Sequence, residues 1–216
     1  MRIDKICYIV GAMAQSLPAI SRENSFVIAA DAGYKAVQLV DIKPDLVVGD
    51  FDSLGHVPEG ENIVRHPVMK DDTDMMLAVK LGLERGFKRF HIFGGMGGRT
   101  DHTIANIQTL AYIANRGASA FLFGDGEVMT VIKNSSIRFC EGSEGTVSAF
   151  AMGGNVKGVY ESGLLYSLEN AELAPDFPLG VSNEFTGNPA EIRVENGMLL
   201  VTWTDKAFPV DVQPIG

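Results

Sequence analysis

The segment at residues 46–53 is Leu46-Val47-Val48-Gly49-Asp50-Phe51-Asp52-Ser53, an apolar run followed by two carboxylates one residue apart. The apolar part predicts a buried strand. Because side chains alternate along an extended backbone, Asp50 and Asp52 are expected on the same side of it. Two carboxylates directed at one point favour a hard cation such as Mg²⁺. A simple turn is the alternative, since Gly, Asp and Ser commonly follow a strand.

Apolar runs of the same kind recur on both sides of this segment, and helical spacing of apolar residues separates several of them. This alternation predicts an open, mostly parallel, Rossmann-like α/β sheet, whose ligands bind beyond the carboxyl ends of the strands. The runs cover residues 6–11, 26–31, 46–49, 62–67, 89–93 and 120–123. The two longer helices are predicted with apolar faces at Met75, Ala78, Val79, Gly82 and Leu83, and at Ile104, Ile107, Ala111 and Ala114.

The pattern of the sequence changes at about residue 127. Helical periodicity ends there, and short apolar runs recur between turn residues. Such spacing predicts an antiparallel β-sandwich. We therefore predict an α/β domain at residues 1–128 and a β-sandwich domain at residues 129–216, without a flexible linker. The apolar runs of the second domain cover residues 128–132, 146–151, 163–168, 191–194 and 199–203.

A second acidic group, Asp71, Asp72 and Asp74, stands at the start of a predicted helix. Carboxylates at this position cap a helix, because they accept hydrogen bonds from its free amides and face its positive end. Capping accounts for one or two of the three. The group also follows another strand of the same sheet, which places it near Asp50 and Asp52. We therefore predict a shared cation site, with Asp50, Asp52 and Asp74 as its metal ligands.

Residues 94–98, Gly-Gly-Met-Gly-Gly, link a predicted strand to a predicted helix. Four glycines at such a junction allow phosphate oxygens to approach the backbone amides. The loop lacks the Gly-Lys-Ser/Thr ending of a P-loop, and Arg99 is the available cation, with a fork that can hold two phosphate oxygens. Asp101 has three candidate roles, since it can cap the helix through Ile104, orient Arg99 or reach the metal.

The composition excludes some classes of protein. The 216 residues are 46% hydrophobic and carry a formal net charge of −9, which argues against a general nucleic-acid binder because such a protein needs a basic surface. The two cysteines, Cys7 and Cys140, have no metal-ligand spacing and predict a reducing cytoplasm. The sequence has neither a signal-peptide pattern nor a long apolar span, so we expect a cytoplasmic protein without a membrane partner.

With these motifs the chain resembles the thiamine pyrophosphokinases. The resemblance extends over nearly the whole chain and combines acidic and glycine motifs in the first half with two motifs in the second. The motifs are Asp31-Ala32-Gly33, Gly49-Asp50-Phe51-Asp52-Ser53, Asp72-Thr73-Asp74, Gly97-Gly98-Arg99-Thr100-Asp101-His102, Gly163-Leu164-Leu165-Tyr166-Ser167-Leu168 and Gly180-Val181-Ser182-Asn183-Glu184.

The resemblance implies a reaction and a set of roles. The reaction is transfer of the diphosphoryl group of Mg-ATP to the hydroxyl of thiamine, which gives thiamine diphosphate and AMP. It also implies a homodimer with composite active sites, in which Ser182 and Asn183 contact thiamine. The implied catalytic residues are Asp50, Asp52, Asp74, Arg99 and Asp101. The residues assigned to ATP binding are Asp31, Gly33, Asp72, Thr73, Gly95, Gly97, Gly98 and His102.

The chain departs from the family pattern at two places. The first motif more often reads Asp-Gly-Gly, so Ala32 replaces a glycine, at little cost if this position does not need a positive φ. A tryptophan near the C-terminus can lie against thiamine in the family. Trp203 is the only tryptophan here, but its spacing differs, and a lone Trp in a strand is more often a core residue.

Two other functions compete with this interpretation. A strand followed by Asp50-Phe51-Asp52-Ser53-Leu54 is similar to the aspartyl-phosphate phosphatases, in which the first Asp is a nucleophile. Those proteins place the motif on the first strand and lack the loop that precedes Arg99. A non-catalytic nucleotide sensor would keep the glycine loop and lose the carboxylates, all of which are present in this sequence.

Overall fold

The computed structural model describes residues 5–20, 22–49, 63–65, 72–124, 126–204, 206–207 and 209–214. Its chain divides into two compact units, Met1–Asp125 and Gly126–Gly216. The division lies slightly before the predicted boundary between residues 128 and 129, because a strand of the second unit already begins at Glu127. Asp50 and Asp52, two of the three predicted metal ligands, lie outside the described residues, as does Asp71.

The first unit contains six strands and three α-helices in its described residues. The strands pair in the order β6-β5-β1-β2-β3-β4, and every pairing among them is parallel. In chain order the elements are β1 (Ile6–Val10), a 3₁₀ turn (Arg22–Asn24), β2 (Ser25–Ala30), α1 (Gly33–Leu39), β3 (Leu46–Gly49), β4 (Ile63–Arg65), α2 (Asp74–Glu84), β5 (Arg89–Phe93), α3 (Thr100–Ala114) and β6 (Ser119–Gly124).

The central strands of this sheet form the core of the first unit. Cys7 and Ile9 on β1 are fully buried, as are Ile28 on β2 and Val48 on β3. Burial raises the pKa of the Cys7 thiol to about 12, so this cysteine is an inert core residue at neutral pH. None of the described helices has both the length and the hydropathy needed to span a membrane.

The faces of the two longer helices test the predicted periodicity. On α2 four of the five predicted residues are buried and Leu83 is half-buried, which confirms most of the predicted face; the four are Met75, Ala78, Val79 and Gly82. On α3 the prediction was wrong, because Ile104 is exposed. The buried side of α3 instead carries two polar residues among its apolar ones, and it consists of Asn106, Thr109, Leu110 and Ile113.

The second unit is an antiparallel β structure. Strand β9 pairs with β10, β11 and β12, while β12 also pairs with β7 and β8, and β8 pairs with β13. Over the described chain the antiparallel pairings outnumber the parallel ones, and all of the parallel pairings lie in the first unit. The strands are β7 (Glu127–Lys133), β8 (Ser135–Phe139), β9 (Thr146–Ser162), β10 (Leu168–Leu173), β11 (Gly180–Glu184), β12 (Ala190–Thr204) and β13 (Pro209–Pro214).

In the second unit one predicted strand differs from the structure, and Trp203 agrees with the expectation from sequence. The predicted strand at residues 163–168 is a loop held by an isolated bridge between Leu164 and Phe185, and β10 begins only at Leu168. Trp203 is a buried core residue, with its indole N–H donating to the carbonyl of Ala207 at 3.2 Å and its ring packed edge-on against Phe139. This burial agrees with the expectation that a lone Trp in a strand is a core residue.

Candidate active site

A cavity of about 360 Å³ lies at the carboxyl edge of the parallel sheet, which is where an open α/β sheet binds its ligands. Its volume is within the range of small-molecule sites. The end of β2, the start of α2 and the loop between β5 and α3 all contribute to its wall. The cavity brings together seven of the residues predicted from sequence, namely Asp31, Thr73, Asp74, Gly95, Gly97, Arg99 and His102.

Asp31 has the features of a ligand-binding carboxylate. Its backbone is left-handed, with φ of 46°, and its amide donates to the carbonyl of Val48 at 2.7 Å. Its Oδ1 atom is buried and has no hydrogen-bond partner among the described residues. A buried carboxylate oxygen without a partner is costly, so its position in the cavity wall favours a cation or a donor group of a ligand.

The rest of this motif has a structural role. Ala32 has φ of −61°, so the glycine that the family more often has at this position is not required here. Gly33 starts α1 where the helix meets the end of β1, and a Cβ atom at this position would lie 1.9 Å from the carbonyl oxygen of Val10. Gly33 therefore allows α1 to pack on the sheet, and the cavity wall does not include it.

The start of α2 divides its polar residues between two tasks. Thr73 is the N-cap, and its hydroxyl accepts a hydrogen bond from the amide of Met76 at 3.1 Å. Asp74 is the first helical residue and lines the cavity beside it. Asp72, which sequence reasoning assigned to ATP binding, is instead held by Lys80 through contacts of 2.6 and 2.8 Å and lies outside the cavity wall. This ion pair fixes the segment that leads into α2.

The glycine loop has the backbone conformation that its composition predicts. Gly94, Gly97 and Gly98 have φ of 70°, 83° and 71°, a region that L-residues rarely adopt. A Cβ atom on Gly94 would lie 2.2 Å from the amide nitrogen of Ala14, so a larger residue cannot be accommodated there. Successive backbone amides in such a loop are suited to binding phosphate oxygens.

Asn106 is a site residue that sequence reasoning missed. Its side chain is buried on α3, lines the cavity and donates from Nδ2 to the carbonyl oxygen of Gly95 at 2.7 Å. This bond ties the glycine loop to the helix that follows it. The signal in the sequence was an Asn on the same helical face as Leu110 and Ile113, a face that the prediction had assigned incorrectly.

Arg99 and Asp101 form a bidentate ion pair where the glycine loop ends and α3 begins. The Arg99 guanidinium donates to the two carboxylate oxygens at 2.6 and 3.2 Å, and both side chains are exposed. The hydrogen bond and charge of Arg99 lower the pKa of the Asp101 carboxyl, and the same pairing raises the pKa of Arg99. Asp101 also accepts from the amide of His102, but α3 has no side-chain N-cap. Of its three candidate roles, orientation of Arg99 is the one observed.

The carboxylates of the cavity are consistent with a hard cation. Asp31 and Asp74 both line it, and the unpartnered oxygen of Asp31 is a suitable ligand. Within the described residues, no group of three or more His, Cys, Asp or Glu side chains could by itself hold a metal ion. The predicted ligands Asp50 and Asp52 follow β3 directly and lie outside the described residues.

The predicted thiamine contacts lie on β11 in the second unit and differ in exposure. Ser182 is exposed and has φ of 59° at an irregularity of the strand, where its amide donates to the hydroxyl of Ser148. Asn183 is only 5% exposed. Its amide group is engaged inside the unit, with Glu161, Tyr166 and Glu184 as its partners. The structure therefore assigns Asn183 an internal role.

The fold and the cavity define an α/β protein whose site is suited to a phosphorylated nucleotide, because glycine amides, an arginine and carboxylates surround one space. Residues 17–122 match the family "Thiamin pyrophosphokinase, catalytic domain", and residues 134–199 match "Thiamin pyrophosphokinase, vitamin B1 binding domain". The chain belongs to the thiamin pyrophosphokinase family. Its membership indicates thiamine pyrophosphokinase activity, which is an ATP-dependent diphosphokinase reaction.

Individual relatives agree with this assignment. Thiamine pyrophosphokinase of Bacillus subtilis (strain 168) is 24% identical over 200 residues, covering 86% of this chain and 90% of the relative. Thiamin pyrophosphokinase 1 of Caenorhabditis elegans is 23% identical over 166 residues, covering 72% and 68%. The crystal structure of the Bacillus subtilis enzyme has a TM-score of 0.81 at 22% identity, over 93% of this chain and 98% of that one. Thiamin pyrophosphokinase from Candida albicans gives 0.71 at 16%, over 94% and 90%.

The comparisons confirm the resemblance that the sequence motifs indicated. They give no support to an aspartyl-phosphate phosphatase or to a nucleotide sensor. The likeness of the solved structures, all at low identity, concerns the fold.

Proposed function

We propose that this chain transfers the diphosphoryl group of Mg-ATP to the hydroxyl of thiamine, giving thiamine diphosphate and AMP. The observation that carries the proposal is the cavity that joins Asp31, Asp74, the glycine loop and Arg99 at one edge of the sheet. Transfer of a phosphoryl-type group depends on positioning and charge neutralisation more than on covalent catalysis. The residues of this cavity are of the types that supply both.

The first unit is, in this proposal, a Rossmann-like ATP-binding domain. Its parallel strand order places the turns after β1, β2 and β5 at one edge. The amides of residues 94–98 bind phosphate oxygens, and Asn106 holds the loop in place through the carbonyl of Gly95. Arg99 is oriented by Asp101 through Nε and Nη2, and it directs its Nη1–Nη2 edge at the transferring phosphates and stabilises their charge.

Magnesium is the cation that this donor set fits. Asp31 and Asp74 in the cavity wall would hold it, together with Asp50 and Asp52 of the segment that follows β3 in the sequence. When bound, Mg²⁺ would neutralise the phosphate oxygens and polarise the transferred group. One of these carboxylates can also accept the proton of the thiamine hydroxyl. Thr73 keeps Asp74 at the first position of α2 through its capping bond.

The second unit supplies, in this proposal, the wall that binds thiamine. Its exposed apolar side chains include Leu165 and Tyr166 before β10, and Phe177 and Leu179 before β11. Such side chains suit an aromatic acceptor, and the exposed Ser182 adds a polar contact. The proposed homodimer brings this wall to the first unit of the partner subunit and creates two composite sites. Both cysteines are free, in keeping with a cytoplasmic location.

The nucleotide product distinguishes this reaction from other kinase reactions. Because the acceptor receives two phosphoryl units in one step, incubation with ATP, Mg²⁺ and thiamine is expected to give AMP and thiamine diphosphate in equal amounts. Mass spectrometry of a time course measures both products and any intermediate. Accumulation of ADP together with thiamine monophosphate would show stepwise transfer and would exclude the proposed reaction.

Composite sites predict that two inactive variants restore activity when they are mixed. Asp31→Asn damages the nucleotide site, and Ser182→Lys places a cation against the cationic thiazolium ring of thiamine. After subunit exchange, half of the sites in a mixed dimer carry both defects and half carry neither, so we expect activity to reappear. The rate of thiamine diphosphate formation is measured before and after exchange. Verified mixed dimers without activity would show that each chain completes its own site.

A further inference from the structure

Glu161 is a buried acidic residue whose role is not explained by the proposed chemistry. It lies on β9 between Leu168 of β10 and Ile192 of β12, and it is only 3% exposed. Its Oε2 atom accepts a hydrogen bond from Nδ2 of Asn183 at 2.7 Å. Its Oε1 atom is buried without a hydrogen-bond partner among the described residues. Burial raises the pKa of this carboxyl, and the bond from Asn183 opposes that shift.

The contact with Glu161 determines which way the Asn183 amide faces. Its Nδ2 also donates to the carbonyl of Tyr166 at 2.7 Å, and its Oδ1 accepts from the amides of Tyr166 at 3.0 Å and Glu184 at 2.9 Å. A flipped amide would direct Oδ1 at a carbonyl and at a carboxylate oxygen and would lose all four bonds. Of these four bonds, only the one to Glu161 is made to another side chain, so Glu161 is the contact on this amide that a substitution can remove.

The Asn183 amide in turn fixes a loop that presents side chains to solvent. Both backbone polar groups of Tyr166 are bound by Asn183, while the Tyr166 side chain is 66% exposed. Ser182, the residue before Asn183, is exposed and left-handed. A residue in this conformation is held by its surroundings, here by the Ser148 hydroxyl and by the anchored Asn183. The exposed loop and the strand irregularity therefore depend on one buried contact.

We propose that Glu161 is a positioning residue for the acceptor substrate, because it fixes the Asn183 amide and thereby the placement of Tyr166 and Ser182. This inference rests on the proposed function, in which the second unit binds thiamine. Glu161 is too deeply buried to contact thiamine, so it acts through Asn183. Its effect is expected on acceptor binding and not on ATP binding.

The test replaces Glu161 by Met, which keeps the approximate volume and removes the acceptor of the Asn183 bond. Loss of this buried hydrogen bond, which leaves its donor unpaired, is expected to raise the KM for thiamine about tenfold, with the KM for ATP unchanged. Glu161→Gln keeps an acceptor oxygen of the same shape and is expected to restore the KM. Val159→Ala, at another fully buried position of β9, is the matched control and is expected to lower stability without changing either KM.

Hydrogen exchange at the Tyr166 amide gives a measure that does not depend on activity, because this N–H donates to Asn183. We expect faster exchange in Glu161→Met and wild-type exchange in Glu161→Gln. Asn183→Asp removes the Nδ2 donor to both Glu161 and the Tyr166 carbonyl without a change of shape. It tests the role of this amide a second way and is expected to raise the KM for thiamine as well. Support requires faster exchange together with the higher thiamine KM.

Three results would overturn the inference. Exchange at Tyr166 that stays at the wild-type rate in Glu161→Met would show that Glu161 does not order the loop. Faster exchange in Glu161→Met together with an unchanged thiamine KM would show that the loop does not position the acceptor. Equal changes in the KM values for thiamine and ATP would indicate a general loss of structure. A wild-type protein without activity on thiamine would refute the proposed function, and the exchange rates would still decide whether Glu161 orders the loop.

Discussion

Replacement of Asp31 by Asn is expected to lower kcat/KM by about a hundredfold or more, the loss typical of one electrostatic contact to the reacting group. Its Oδ1 atom is buried in the cavity wall without a hydrogen-bond partner among the described residues, and it is therefore suited to a ligand. The amide keeps the size of the side chain and removes its charge. Asn also accepts a left-handed backbone, so φ of 46° is retained and the fold is expected to persist.

The chain offers a close control for this substitution. Asp41 has φ of 55°, is exposed and lies outside the cavity wall, so Asp41→Asn makes the same chemical change in a similar backbone. We expect wild-type activity from that variant. Steady-state kinetics over a range of Mg²⁺ concentrations, with thermal unfolding of both variants, measure the two effects separately. Equal activity of Asp31→Asn and Asp41→Asn would remove Asp31 from the active site.

The parts of the fold that sequence predicts well are those set by local pattern. Runs such as residues 26–30 are apolar on both faces, and only a strand inside a covered parallel sheet buries both. Gly86 follows the end of α2 with φ of 85°, and its amide donates to the carbonyl of Leu83, which is the helix ending that a glycine favours. Asp31, Asp74 and the glycine loop meet in one cavity because the carboxyl ends of parallel strands share an edge.

The parts that sequence did not predict depend on partners distant in the chain. Asp72 resembles its neighbour Asp74, yet a lysine two turns along α2 pairs with Asp72, and only Asp74 reaches the cavity. Asn183 was expected from sequence to contact thiamine. In the structure its amide donates instead to the buried carboxylate of Glu161, which is remote in the chain. Ile104 was placed on the buried face of α3 because apolar periodicity treats Asn106 as a polar interruption. Asn106 is buried instead, because its side chain donates a hydrogen bond to the glycine loop.

Arg99→Lys is expected to lower kcat/KM by about a hundredfold, although the charge is retained, because a lysine lacks the planar fork that can hold two phosphate oxygens. In the structure Nε and Nη2 of Arg99 donate to the two carboxylate oxygens of Asp101, which fixes the plane of the guanidinium beside the cavity, so the Nη1–Nη2 edge is the part of the fork assigned to phosphate. A lysine would make one contact with Asp101 and would not be held in a single orientation. The loss is expected mainly in kcat, since the contact is assigned to the transferring phosphates.

Arg138→Lys provides the comparison, because Arg138 is also an exposed arginine paired with a carboxylate, Glu191, at 2.8 Å. It lies in the second unit, which carries none of the residues assigned to phosphate binding, and we expect its replacement to leave kcat unchanged. Exposed ion pairs contribute little to stability, so both lysine variants are expected to unfold at nearly the wild-type temperature. Steady-state kinetics with ATP and thiamine measure the difference between them. If Arg99→Lys turned over as fast as Arg138→Lys, the guanidinium of Arg99 would contribute only general positive charge, and the bidentate contact with phosphate would be rejected.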